Sequence, residues 1–168
     1  MLTPGKAAIV YHSGAGRGRA IELVQPTVHR LMLAGWQVID VSATRYAGHE
    51  RDALAPSLAA QVDLIIVIAG DGTLREVCTG LCLVSSDCPS GFVPTGNANV
   101  VAREQRIPLQ PGPAIDLLTA GKVRQLDVGM LRTHPDAVES VLFLAMVEIG
   151  FGARVVQLTH RLRSGRLH

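Results

Sequence analysis

The chain has 168 residues, 48% of them hydrophobic, with 16 basic against 14 acidic residues for a net charge of +2. That length suits one ordinary domain able to bury about two-thirds of the surface its unfolded form exposes, and the near balance of charge points away from nucleic acid or any other polyanionic partner. Apolar residues fall in short blocks, none near the roughly 18 needed to cross a bilayer, so a soluble, cytoplasmic protein is expected.

The opening MLTPGKAAIVYHSG has no small-residue cleavage site and does not read as a secretory leader. Lys6 to His12 is a β-like run that breaks into Ser13-Gly14-Ala15-Gly16-Arg17-Gly18. After this loop Ile21, Val24, Val28, Leu31 and Met32 recur at helical spacing. Pro26 within this helix should remove a hydrogen bond and kink it, and Gly35 closes it. Gln37 to Ser42 reads as a second strand, and Gly48 to Ala60 as a second helix interrupted by Pro56. The run Val62 to Ala69 is the third strand. Crossovers of this length call for a parallel sheet with helices on both faces.

The turn Gly70-Asp71-Gly72-Thr73 leads into a helix over Thr73 to Val84. A polar loop over Ser85 to Ser90, a short strand from Gly91 to Pro94, and a helix from near Asn97 to before Pro108 follow. Pro113 opens a further helix that Gly121 caps. Beyond residue 122 the pattern changes: Val123 to Leu131 and Val138 to Ile149 are strand-like runs separated by Thr133-His134-Pro135-Asp136, which is turn chemistry for an antiparallel pair. A domain boundary is therefore expected near residue 122, dividing 1–122 from 123–168. The basic run Arg154, Arg161, Arg163 and Arg166 reads first as a solvated helix face, with transient contact to anionic lipid headgroups as the alternative.

Cys78, Cys82 and Cys88 are odd in number and have no second Cys or His pair beside them, so reduced thiols are expected and no metal site. Loops 13–18, 70–73 and 94–99 all end predicted parallel strands and lead towards helices, the edge where open α/β sheets bind ligands. Together they describe a phosphate-binding rim. Glycines at 70 and 72 would allow positive φ and close ligand approach, with Thr73 placed to cap the helix. Asp71 would bind a ribose, a metal ion or a basic side chain, or else hold the turn through its own backbone N–H groups. There is no GxxxxGK[ST] loop and no GxSxG elbow, and the first loop lacks the third glycine of GxGxxG. Asp40 nevertheless keeps a dinucleotide dehydrogenase as a minor rival.

The stretch Ile68 to Val77 resembles the GGDGTxxEV motif of the diacylglycerol kinase catalytic domain, shared with sphingosine kinases and more distantly NAD kinases. Pro94 to Glu104 resembles the PxGTANxxAR motif that follows it in bacterial lipid kinases, and Ser13-Gly14 falls at the family's first SG loop. Asp127-x-Gly129 and Ile149-Gly150-Phe151-Gly152 extend the resemblance downstream. It implies an α/β fold: a three-layer parallel-sheet nucleotide-binding domain, followed by the truncated start of an antiparallel β domain, with ATP and its Mg²⁺ in the cleft between them. The residues carried over to the nucleotide are Ser13, Gly14, Thr44, Gly70, Asp71, Gly72, Thr73, Glu76, Gly96, Asn97 and Asn99. Glu76 would position the loop, or face solvent.

The sequence departs from the family at Ala69, which replaces the first glycine of GGDGT, at Tyr11-His12, where Asn-Pro is frequent, and at Asn97, which replaces the threonine of the GT pair. Asn97 can still donate to phosphate. A lone histidine such as His12 is read as structural. In the family the general base and metal-coordinating acids come from the second domain, so none is assigned here, and the chain is expected to be a fragment, a truncated product or a degenerate relative. The resemblance implies a lipid kinase passing the γ-phosphate of ATP to a lipid hydroxyl such as that of diacylglycerol. The alternatives are a non-catalytic nucleotide-binding or self-associating module of the same fold, and a NAD kinase-like enzyme.

Overall fold

The computed structural model describes residues 2–132, 134 and 140–163. Four strands form one parallel sheet: β1 (Lys6–Tyr11), β2 (Gln37–Ala43), β3 (Leu64–Ala69) and β4 (Ser90–Pro94), in the order β2-β1-β3-β4. β3 pairs on both sides, Ile66 lying between Ile9 and Gly91, and all six of its residues are buried. A strand covered on both faces has no use for alternation, which is why LIIVIA is apolar throughout. The edge strand β2 alternates exposed and half-buried residues over most of its length.

Helices cover both faces. α1 (Arg19–Leu33) packs with α5 (Pro111–Thr119), and the pair is tied by the ion pair of Arg30 and Asp116. α2 (Ala55–Ala59) packs with α3 (Asp71–Leu83) and with the π-helical turn Glu50–Leu54. The three-layer α/β arrangement is the one expected.

Several local expectations are corrected. α1 runs through Pro26 as one helix, and the buried Thr27 hydroxyl donates to the Leu23 carbonyl at 2.7 Å, satisfying itself within the helix. The second helix is not interrupted at Pro56: the π turn runs directly into α2 with Leu54 and Ala55 both helical, and the Ala55 N–H donates to the Glu50 carbonyl. Pro56, which has no N–H to place, stands one residue past this change from π to α winding. α3 begins at Asp71, two residues before the expected start; Gly70 is its N-cap and Thr73 makes no cap bond. α4 is only Val100–Glu104, entered through Asn99 in the left-handed region at φ 48°.

The antiparallel pair exists but is short. β5 (Gly129–Leu131) faces β6 (Val141–Phe143) with Met130 opposite Leu142, and both expected long runs shrink to three residues. A two-stranded ribbon is marginal without further strands to cover it. In the expected turn, Thr133, Pro135 and Asp136 lie outside the described residues. α6 (Phe151–Arg163) follows, with Arg154 and Arg161 exposed on it and Arg166 outside the described residues. No helix among the described residues is long and apolar enough to cross a membrane.

Cys78, Cys82 and Cys88 are free thiols. Burial, reinforced by neighbouring Cys82, pushes Cys78 up to about 11. At pH 8 its thiolate is therefore scarce, and the thiolate is the reactive form. Iodoacetamide at pH 8 is expected to modify the exposed Cys82 well before Cys78, read by peptide mass spectrometry; equal labelling of the folded chain would contradict the packing of α3.

Candidate nucleotide-binding site

β1 is followed by a strand on one side of it and β3 by a strand on the other. The C-terminal ends of β1 and β3 therefore flank the topological switch point, where open α/β sheets leave a crevice. The loop after β4 stands beside the loop after β3, so topology alone gathers the three glycine loops on one edge.

The loops also touch. A Cβ on Gly16 would come 2.5 Å from the Thr95 carbonyl oxygen, so the first loop lies directly on the third. A Cβ on Gly96 would stand 2.7 Å from the Gly70 Cα and 2.8 Å from Asn99 Oδ1, so the second and third loops meet backbone to backbone. Gly70 itself is extended (φ −97°, ψ −179°), and neither it nor Gly72 has positive φ. The expected left-handed turn is absent; Gly70 is needed for the close approach instead. A Cβ on Gly72 would meet nothing within 4 Å, which leaves open space over the first turn of α3.

Asp71 takes a role that none of the readings contained. Its Oδ1 accepts from the backbone N–H of Val101 at 3.0 Å, stapling the start of α3 to the start of α4. Asn99 Nδ2 donates to the Gly96 carbonyl at 2.9 Å, holding the third loop against itself. Asn99 is 7% exposed, and its Oδ1 is a buried acceptor without a hydrogen-bond partner. Ser13, Gly14, Gly72 and Asn97 are exposed along the rim, with Thr73 half-buried beside them.

Glu76 lies one turn further along α3 and away from the rim. Arg75 donates to its Oε1, and Arg51 Nη1 on the π turn stands 3.7 Å from Oε2. Its carboxylate thus joins α3 to the π turn and is largely shielded from solvent. Thr44 follows β2, and its Oγ1 lies 2.7 Å from His12 Nδ1 at the end of β1. Thr95, not singled out from the sequence, is 4% exposed with an unpartnered hydroxyl at the end of β4. Its signal was a polar residue closing an otherwise apolar strand immediately before a glycine.

The donor set fits an anionic ligand. No side chain caps α3, so the first-turn N–H groups that any helix leaves unpaired are open towards the space over Gly72. Arg17 stands in the first loop, and Arg19 opens α1 just after it, its Nε donating to the Gly16 carbonyl at 3.3 Å. The same edge does not fit a resident cation. Among the described residues no three His, Cys, Asp or Glu side chains gather as ligands, and Asp71 spends one oxygen on Val101. Two concavities of about 470 and 590 Å³ open at the opposite, N-terminal edge of the sheet, around Gly5 and Asp63, away from all three loops.

Known proteins resemble this chain over most of its length. The model of the diacylglycerol kinase catalytic domain matches residues 6–131. A probable lipid kinase YegS-like protein of Pseudomonas putida is 34% identical over 154 residues, covering 92% of this chain and 48% of its own length. A protein of the same description from Pseudomonas fluorescens is 34% identical over 160 residues, covering 94% and 49%. The solved structure of a putative diacylglycerol kinase from Bacillus anthracis superposes with a TM-score of 0.66 at 27% identity, over 73% of this chain and 44% of that one. The chain spans about half the length of the curated relatives it matches.

Proposed function

The chain belongs to the diacylglycerol kinase catalytic domain family, and from that premise we propose that it is the ATP-binding part of a lipid kinase passing the γ-phosphate of ATP to a lipid hydroxyl such as that of diacylglycerol. The observation that carries the reading is the three-loop contact at the switch point, with the space over Gly72 left open beside the uncapped start of α3. Phosphoryl transfer asks a protein chiefly for positioning and charge stabilisation. A rigid rim of backbone N–H groups is suited to both, because its dipoles need not reorganise when charge develops.

In this reading Ser13, Gly14, Gly72, Thr73, Gly96 and Asn97 line the phosphates and Thr44 stands at the sugar end. Asp71 and Asn99 hold the loops in register. Mg²⁺ would arrive on the nucleotide's phosphates, and no step is assigned to it. The domain division at residue 122 belongs to the same proposal: residues 123–168 would begin the wall that faces the rim, and the complete reaction would belong to a protein with that wall in place.

The test is titration of the chain with ATP and Mg²⁺ by calorimetry, followed by phosphate transfer to diacylglycerol in mixed micelles. Binding without transfer is the expected result. Transfer would show that these 168 residues form a working site without the rest of the wall. Failure to bind would overturn the reading in favour of a non-catalytic module. That alternative has its own motive in the two-stranded β5–β6 ribbon and in Ile149 and Phe151, 88% and 85% exposed.

A further inference from the structure

His12 reads from the sequence as structural, and its backbone does tie elements of the rim together. Its backbone N–H donates to the Ile68 carbonyl at 3.4 Å, and its carbonyl accepts from Ala15 N–H at 2.9 Å. The end of β1 is thereby fixed to β3 and to the first loop. The N–H of Thr44 donates to the Tyr11 carbonyl at 2.9 Å, which brings the end of β2 to the same point.

The exposed imidazole bridges these elements. Nδ1 lies 2.7 Å from Thr44 Oγ1, and Nε2 points back to the first loop, where a Cβ on Gly14 would be 3.4 Å from it. Nε2 is thus exposed beside Ser13 and Gly14, within reach of a ligand held in that loop.

We propose that His12 and Thr44 form a hydrogen-bond relay joining the two ends of a bound nucleotide, with His12 Nε2–H donating to a phosphate oxygen and Thr44 Oγ1 accepting from a sugar hydroxyl. The polarity follows from the chemistry of the two groups. Phosphate oxygens only accept, so Nε2 carries the hydrogen and Nδ1 is the acceptor. Thr44 then donates its one O–H to Nδ1, which leaves its lone pairs free for a hydroxyl donor. The inference rests on the nucleotide-binding reading of the rim, and it gives this chain a side-chain phosphate donor at a position where Asn-Pro is frequent in the family.

The test uses the full chain and two probes, ATP and inorganic tripolyphosphate, which has phosphates but no sugar. His12→Ala is expected to weaken both at least about tenfold, the scale of one hydrogen bond to a charged acceptor, and His12→Gln should recover part of the loss. Thr44→Val should weaken ATP most, and tripolyphosphate by the smaller part that His12 loses with its Nδ1 partner; unchanged tripolyphosphate would mean that the two side chains act separately. Nitrogen-15 spectra of the imidazole should show Nδ1 unprotonated and Nε2 protonated in the ATP complex. Unchanged tripolyphosphate affinity in His12→Ala, with wild type still binding ATP, would overturn the relay and leave the nucleotide site standing. Absence of ATP binding by the wild type would instead remove the site itself. Because His12 is exposed, circular dichroism of the variant should match wild type.

Discussion

Gly72→Val is expected to lower ATP affinity about 100-fold or more while leaving the far-ultraviolet circular dichroism and the melting temperature nearly unchanged. The two halves of this result have separate causes. Gly72 is exposed in the first turn of α3, its φ is not in the left-handed region, and a Cβ there meets no atom within 4 Å. Valine therefore fits the protein, and an exposed substitution of this kind stays within roughly 0.5 kcal/mol. What it fills is the space through which a phosphate would reach the first N–H groups of α3. Losing two charge-assisted hydrogen bonds, each worth about 1.5–3 kcal/mol, gives the expected factor. Affinity equal to wild type by calorimetry would place the nucleotide elsewhere and remove the main support for the proposed function.

The contrast between Gly72 and Gly70 also marks how far the sequence could be read. The parallel sheet was legible because LIIVIA admits no amphipathic reading and the alternation of strands with helical spacing leaves few other layouts. The gathering of loops 13–18, 70–73 and 94–99 on one edge followed from that topology. Their contacts did not follow from it. Asp71 and Val101 are 30 residues apart, and no local pattern shows that a carboxylate opening one helix will accept from the N–H of another.

Gly70 was read through glycine's torsional freedom, but it is extended and is small because Gly96 lies against it. The overestimate of β5 and β6 has a related cause. Val123 to Leu131 and Val138 to Ile149 carry strand composition, yet a strand lasts only as far as a neighbour pairs with it. Here each ribbon strand has one partner and three residues in register. The pairing of His12 with Thr44 was equally out of reach, since the 2.7 Å approach joins residues just past the ends of two different strands.

Gly96→Ala carries the largest expected effect on stability, and for a reason opposite to Gly72. The new methyl carbon would sit 2.7 Å from the Gly70 Cα and 2.8 Å from Asn99 Oδ1. Neither neighbour is the end of a flexible side chain: one is backbone, and the other is a buried amide held at 2.9 Å to the carbonyl of Gly96 itself. The second and third loops must part, which overpacking of this kind makes cost about 1–3 kcal/mol. At about 2–4 °C per kcal/mol for a domain of this size, the melting temperature should fall by roughly 2–12 °C.

Gly112→Ala provides the comparison. Its added carbon would meet only Arg30 Nη2 at 3.9 Å, so stability should hold or rise slightly. Parting the loops also pulls Val101 away from Asp71, so Gly96→Ala and Asp71→Ala share one consequence and should be less than additive in a double-mutant cycle. Additive losses would mean that the second and third loops are separate turns that happen to be adjacent. A shortfall of about 0.5 kcal/mol or more would mean that these two loops respond as a unit, which is the property a preorganised phosphate site requires.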